Sequence, residues 1–141
     1  MRQPFGNSGV KFGDITDGTS NTSLAGERDT KNCRSGTWVG VRNANGGGSR
    51  GVFFVVGHSR ARQNEPVLAW DSDPEGCGQG FSSLHTGGAQ FVSCDGSVRF
   101  VSSNINHNHT RGGWTNAGDP LNGVYQRLLS RNDGLVVQPE D

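Results

Sequence analysis

The stretch from residue 81 to residue 101, FSSLHTGGAQFVSCDGSVRFV, constrains the fold most, because two short apolar runs in it flank Asp95-Gly96. Asp-Gly between alternating strand-like residues favours a two-residue β-hairpin loop, in which both loop positions need a positive φ. A loop made of Asp95 and Gly96 alone predicts that Phe91 and Phe100 face one another. The aromatic pair would then anchor one face of the sheet.

Composition predicts one small domain, residues 1–141, with a thin core and long loops. Only 30% of the residues are hydrophobic, and 23 of the 141 are glycine. Lys and Arg together number 13 and so do Asp and Glu, and this balance gives no sign of a nucleic-acid partner. No window holds the roughly 20 apolar residues of a membrane span, so the chain as given is expected to be soluble.

The remaining segments alternate between strand-like runs and polar, glycine-rich connections. One stretch is typical of a helix, since Asp119 can cap it, Pro120 suits its first position, and Leu121, Val124 and Leu128 fall on one side. These patterns predict an α+β fold, mainly antiparallel β-sheet with long loops and one short C-terminal helix. The other predicted strands are residues 22–27, 37–42, 52–56 and 135–137.

Two motifs carry a resemblance to a known family. His85, nine intervening residues and then Asp95-Gly96 resemble the H-x9-DG domain of bacterial prepilin-like proteins, a large family of unknown function. The upstream segment ITDGTSNTSLAGE, residues 15–27, looks like that family's DG-T-SNT…GE segment. The residues of this segment that match the motif are Asp17, Gly18, Asn21 and Glu27.

The resemblance implies a function as well as a fold. Such proteins usually begin with a pilin-type apolar helix followed by a longer globular region, so this chain is expected to correspond to their C-terminal half or to a short form. The implied function is a non-enzymatic, extracytoplasmic structural or interaction module, similar to the head of a pseudopilin-like protein at the cell surface or in the periplasm. Protein partners or self-assembly are expected, and contact with a membrane only through the N-terminal helix.

A second function stays open because of the segment from 58 to 80. Loops of this length inside a compact domain are uncommon and often bind something. Trp70 lies in this loop, and an exposed tryptophan can stack on a sugar ring, although tryptophans more often anchor a core. The alternative is therefore a secreted carbohydrate- or solute-binding domain that uses residues 58–80.

His85 and Asp95 are the pair to weigh for catalysis. They can form an acid–base dyad, which would still need a nucleophile. Alternatively, His85 hydrogen-bonds the end of the hairpin, and Asp95 occupies a turn position that aspartate tolerates. The second interpretation accounts for both residues, and the resemblance brings no catalytic role, so we do not expect an enzyme.

Asp71, Asp73 and Glu75 are the candidate metal ligands. Alternating carboxylates in a loop can converge on calcium, which prefers oxygen ligands, although the spacing is not that of an EF-hand. The competing interpretation is a solvated acidic loop. Calcium is the one cofactor that the sequence suggests.

The three cysteines, Cys33, Cys77 and Cys94, lack the C-x-x-C spacing of zinc and redox motifs. If the chain doubles back at the two glycines 87–88, Cys77 and Cys94 can come close enough for a disulfide. Cys33 would then be the odd thiol. Three unpaired thiols are the alternative.

Overall fold

The computed structural model describes residues 9–29, 31, 57, 59, 62–65, 80–107 and 123–135. They form one antiparallel sheet in the order β1-β2-β3, together with a short helix and a 3-10 turn. This confirms the predicted α+β, mainly antiparallel fold, while the strands predicted at 37–42 and 52–56 lie outside the described residues. The elements are the 3-10 turn Phe12–Asp14, β1 (Ser23–Gly26), β2 (Gly88–Ser93), β3 (Val98–Ser102) and α1 (Val124–Leu128).

The hairpin between β2 and β3 forms where the sequence predicts it, but its pairing is shifted by one residue. Gln90 is opposite Phe100, and Phe91 is opposite Arg99, so the predicted Phe91–Phe100 pair is wrong. The loop holds three residues, 94–96, and of these only Gly96 has a positive φ, +86°. A three-residue loop that ends on a glycine in the left-handed region is a common hairpin connection, and it needs no positive φ at Asp95.

The shift decides which aromatic ring is in the core, because a slip of one residue moves a side chain to the other face of the sheet. Phe91 is 3% exposed, whereas Phe100 is 50% exposed on the opposite face. The Phe91 ring packs against Phe81, with ring centroids 5.0 Å apart, and meets the ring of Tyr125 edge-on at 6.3 Å. Tyr125 is therefore the aromatic partner that the sequence analysis missed.

Helix α1 is shorter than predicted and begins at Val124 rather than at Pro120. Gly123 is extended, with φ −96° and ψ 146°, so the helix starts after it. Asn106 accepts hydrogen bonds from the first two backbone amides of the helix. Its side-chain oxygen accepts from Val124 N at 3.4 Å, and its backbone carbonyl accepts from Tyr125 N at 3.0 Å. The cap thus comes from a distant loop, which local sequence cannot reveal. Among the described residues, no helix is long and apolar enough to cross a bilayer.

Replacing Gly96 with alanine is expected to lower the free energy of unfolding by about 1–2 kcal/mol, because the left-handed conformation penalises a Cβ. No heavy atom lies within 4 Å of the new Cβ, so the loss of stability would come from backbone strain and not from a side-chain clash. Gly13→Ala is the matched control, since its Cβ also meets open space and its φ is not positive. Urea unfolding of both variants measures the difference, and equal stabilities would contradict the hairpin geometry.

Candidate functional site

Asp17, from the DG-T-SNT-like segment, ties that segment to the C-terminal part of the described chain. Its side chain is buried, and its two oxygens accept from Asp133 N at 2.8 Å and Gly134 N at 2.9 Å. Its own backbone N donates to the carbonyl of Arg131 at 3.3 Å. Hydrogen bonds to a carboxylate are stronger than neutral ones, so Asp17 acts as a clamp. Sequence analysis did not predict this contact, because its two sides are more than a hundred residues apart.

The rest of this segment forms a turn on which the hairpin loop rests. Gly18 has a φ of +94°, and Asn21 donates from Nδ2 to the carbonyl of Asp17 at 3.2 Å. The Thr22 hydroxyl donates to the carbonyl of Gly18 at 3.1 Å, while the Thr22 carbonyl accepts from Cys94 N at 2.8 Å. The motif residues therefore have structural roles in the turn and its contact with the β2–β3 loop.

Glu27 and His85 meet at the other end of β2. One Glu27 oxygen accepts from Gln90 N at 2.7 Å, and the other lies 3.4 Å from His85 Nε2. The Glu27 backbone adds two bonds, from its N to the carbonyl of Gln90 at 3.1 Å and from Ser82 N to its carbonyl at 3.0 Å. The side chain of His85 is 59% exposed and that of Glu27 36%, so their charge contact contributes little to stability.

His85 and Asp95 are not brought together. His85 precedes the six-residue strand β2, and Asp95 follows it. A strand of that length separates its ends by about 17 Å, far beyond the reach of a hydrogen bond. The Nε2 atom of His85 lies 3.4 Å from Glu27 Oε1, and the interpretation that His85 hydrogen-bonds the end of the hairpin stays a prediction.

Asp95 closes the hairpin loop onto Ser97. One Asp95 oxygen accepts from the Ser97 hydroxyl at 2.6 Å and from Ser97 N at 2.9 Å. These bonds stabilise the charged form, the hydroxyl contributing most, and they hold the pKa of Asp95 below its usual range. This side chain–backbone turn is the role that aspartate commonly takes in loops.

The Ser97→Ala variant is expected to raise the pKa of Asp95, because the largest cause of its lowered value is removed. A lowered folded-state pKa means that the stabilisation from Asp95 is present above its unfolded pKa and is lost as pH falls through the folded value. In Ser97→Ala, the folded-state pKa of Asp95 lies closer to its unfolded value, so the stability lost on acidification is smaller than in the wild type. Carboxyl-carbon NMR titration measures the midpoint, Ser103→Ala is the control, and an unchanged midpoint for Ser97→Ala would contradict the assignment.

Cys94 is half-buried and has no disulfide partner among the described residues. Burial, followed by the negative charge of Asp95, raises the pKa of its thiol, so little of it is the reactive thiolate at neutral pH. Cys77 and Cys33 lie outside the described residues. The Cys77–Cys94 disulfide therefore stays a prediction.

A second polar cluster joins the helix to Ser59. The Ser59 carbonyl accepts from Gln126 Nε2 at 3.2 Å and lies 2.9 Å from His107 Nε2. The His107 ring sits 5.9 Å from the ring of Tyr125, whose burial raises the pKa of its hydroxyl. The Tyr125 hydroxyl has no hydrogen-bond partner among the described residues. The cluster anchors the helix, and no pattern in the sequence pointed to Ser59.

The metal-site prediction falls outside the part of the chain that the structure describes. Asp71, Asp73 and Glu75 all lie in the undescribed stretch from 66 to 79, and so does Trp70. Within the described residues, no three His, Cys, Asp or Glu side chains converge on a common point. Calcium binding and the sugar- or solute-binding role of residues 58–80 therefore remain predictions.

The described residues thus have an α+β fold in which the carboxylates of both motifs bind backbone amides. Residues 4–108 match the profile of the family described as "Protein of unknown function (DUF1559)", short name SBP_bac_10. This match covers more than half of the chain, which therefore belongs to that family. No curated protein and no solved structure matches the chain significantly. The predicted membership of a family of unknown function is confirmed, and the resemblance to prepilin-like proteins with an H-x9-DG domain stays a prediction.

Proposed function

We propose that this chain is a non-enzymatic, extracytoplasmic structural or interaction module that resembles a pseudopilin-like head. The observation that carries the proposal is how the acidic groups of the two motifs are used. Asp17 binds two backbone amides, Glu27 binds the amide of Gln90, and Asp95 binds Ser97. Each of these carboxylates binds at least one backbone amide, which supports a structural role for the motifs, and the second oxygen of Glu27 lies beside His85.

The outer face of the sheet supports a role in interaction. Leu24, Val98 and Phe100 are 71%, 63% and 50% exposed, although the chain is poor in apolar residues. Val98 and Phe100 are neighbours at alternate positions of β3, so they share one face. Adjacent exposed apolar side chains are more typical of contact surfaces than scattered ones.

Protease treatment of intact cells tests the location. The native gene, carrying an epitope tag, is expressed in its own host, and a protease is added before and after lysis, with a cytoplasmic enzyme as the control. If the module is extracytoplasmic, the protease should digest it before full lysis, in cells whose envelope admits the protease while the inner membrane is still intact. Digestion only after full lysis would overturn the proposal. Reading the full gene tests the pilin-like part, which requires an apolar segment of about 20 residues upstream.

A further inference from the structure

The chain has three Asp-Gly pairs, at 17–18, 95–96 and 133–134, and the structure describes all of them. The first two belong to the two sequence motifs. The three glycines have positive φ angles of +94°, +86° and +74°. Because this conformation penalises a Cβ, each turn requires its glycine, and the Asp-Gly pairs cannot be avoided by placing a larger residue after the aspartate.

An Asp-Gly pair is a site of spontaneous covalent modification. The backbone nitrogen of the glycine can attack Cγ of the aspartate side chain, so that an N–Cγ bond forms and the amide hydrogen leaves with the carboxyl OH as water. The product is a cyclic imide, which water opens again. Opening at the backbone carbonyl carbon leaves the chain running through the side chain, as isoaspartate, with no net change in mass. Glycine favours the attack because it has no Cβ to obstruct the approach.

Both reacting groups of the pair 95–96 are engaged in hydrogen bonds. Gly96 N donates to the carbonyl of Ser93 at 2.9 Å. The Asp95 carboxylate accepts from the Ser97 hydroxyl at 2.6 Å and from Ser97 N at 2.9 Å. Asp95 is exposed, so these bonds rather than burial hold its side chain. They also lower the pKa of Asp95, and only the neutral carboxyl loses its OH as water readily.

The other two pairs are held in the same way. The amide of Gly134 donates to Asp17 at 2.9 Å, and the Asp133 side chain accepts from Leu135 N at 2.7 Å. The carboxylate of Asp17 is buried and binds two amides, while the amide of the glycine that follows it donates to the carbonyl of Ile15 at 3.4 Å. In every pair, the nitrogen that would attack and the carboxylate that would be attacked both have partners.

We propose that the folded turns suppress isoaspartate formation at all three Asp-Gly pairs, and that Ser97 is the residue that protects the exposed pair 95–96. Isoaspartate at position 95 would add one carbon to the backbone of the hairpin loop. Asp95 N donates to the carbonyl of Thr19 at 3.1 Å, so the longer loop would lose its fit to the turn on which it rests. Ser97 therefore preserves the contact between the two motifs.

Site-resolved peptide mapping measures the protection. The full chain is incubated at neutral pH, once folded and once in urea, and isoaspartate is located by chromatography and electron-transfer fragmentation of the peptides. We expect isoaspartate to form several-fold more slowly in the folded chain at each of the three pairs. The sites must be resolved because the two Asn-Gly pairs, 45–46 and 122–123, yield the same product.

The Ser97→Ala variant tests the role of the hydroxyl. In the folded chain, it is expected to form isoaspartate several-fold faster at Asp95, while the rates at Asp17 and Asp133 stay at their wild-type values. A general loss of stability would instead raise all three rates, because each turn would open more often. Ser97→Thr keeps a hydroxyl and should keep the protection, Ser103→Ala is the serine control, and in urea all variants should react like the wild type.

The proposal would be overturned by equal rates at Asp95 in the folded and the urea-treated chain. It would equally be overturned if Ser97→Ala left the rate at Asp95 unchanged, raised the rates at all three pairs alike, or did no more than Ser97→Thr. These outcomes concern the turns alone, so they leave the protease test of location unaffected.

Discussion

Replacing Phe91 with alanine is expected to lower the free energy of unfolding by about 4 kcal/mol, the cost typical of removing a buried phenylalanine ring. Phe91 is 3% exposed and packs between Phe81 and Tyr125, so its loss leaves a cavity that two other aromatic rings line. Chemical denaturation followed by tryptophan fluorescence or circular dichroism measures the effect.

Phe100→Ala is the control, and its expected loss is below about 1 kcal/mol, because the ring is half exposed. The two variants remove the same group from two strands of one hairpin. The two-residue loop would have made the rings cross-strand neighbours with similar costs. Equal losses from Phe91→Ala and Phe100→Ala would therefore contradict the observed register.

Asp17→Ala is expected to cost about 3 kcal/mol, because two backbone amides lose a charged acceptor in a site with little access to water. Asp17 is 5% exposed, and its bonds to Asp133 N and Gly134 N join residues more than a hundred positions apart. Thermal and urea unfolding measure the loss.

Asp14→Ala is the matched control for Asp17→Ala. Asp14 is also an aspartate whose oxygen accepts from a backbone amide, that of Lys11 at 2.8 Å, but it is exposed. Water replaces its hydrogen bond, so the expected loss is below about 1 kcal/mol. If the two alanine variants were equally stable, Asp17 would not be a clamp.

Local signals in the sequence located strand β1 and the β2–β3 hairpin. Strand β1, predicted at 22–27, is found at Ser23–Gly26, and the β2–β3 hairpin turns at Gly96 as the Asp-Gly pair indicates. These signals act through backbone preferences of a few neighbouring residues, so a single sequence is enough to read them. The fold class followed from the same patterns.

The register could not be predicted in the same way. Two- and three-residue loops both suit Cys94-Asp95-Gly96, and they differ by one position of pairing. The choice between the two registers depends on whether Phe91 or Phe100 packs into the core. Phe91 packs there against Tyr125, which lies on a helix thirty-odd residues later in the chain. The late start of that helix has a similar cause, since its cap comes from Asn106.

The candidate site shows the same limit. The motifs identified Asp17, Glu27, His85 and Asp95 as residues to examine, but their partners are distant in sequence. Glu27 binds the amide of Gln90 and lies next to His85, contacts that exist only once β1 has paired with β2. The spacing of His85 and Asp95 suggested proximity, whereas an extended strand between them keeps them apart.

The clamp formed by Asp17 has a consequence for where this domain can be cut. The family match ends at residue 108, yet the amides that Asp17 binds belong to residues 133 and 134, and Tyr125 also lies beyond the match. A chain truncated at 108 would keep both motifs, but it would lose Tyr125 from the packing around Phe91 and the two amides that Asp17 binds. We therefore expect a 4–108 fragment to be collapsed and protease-sensitive, and a fragment that extends to Gly134 to be more resistant.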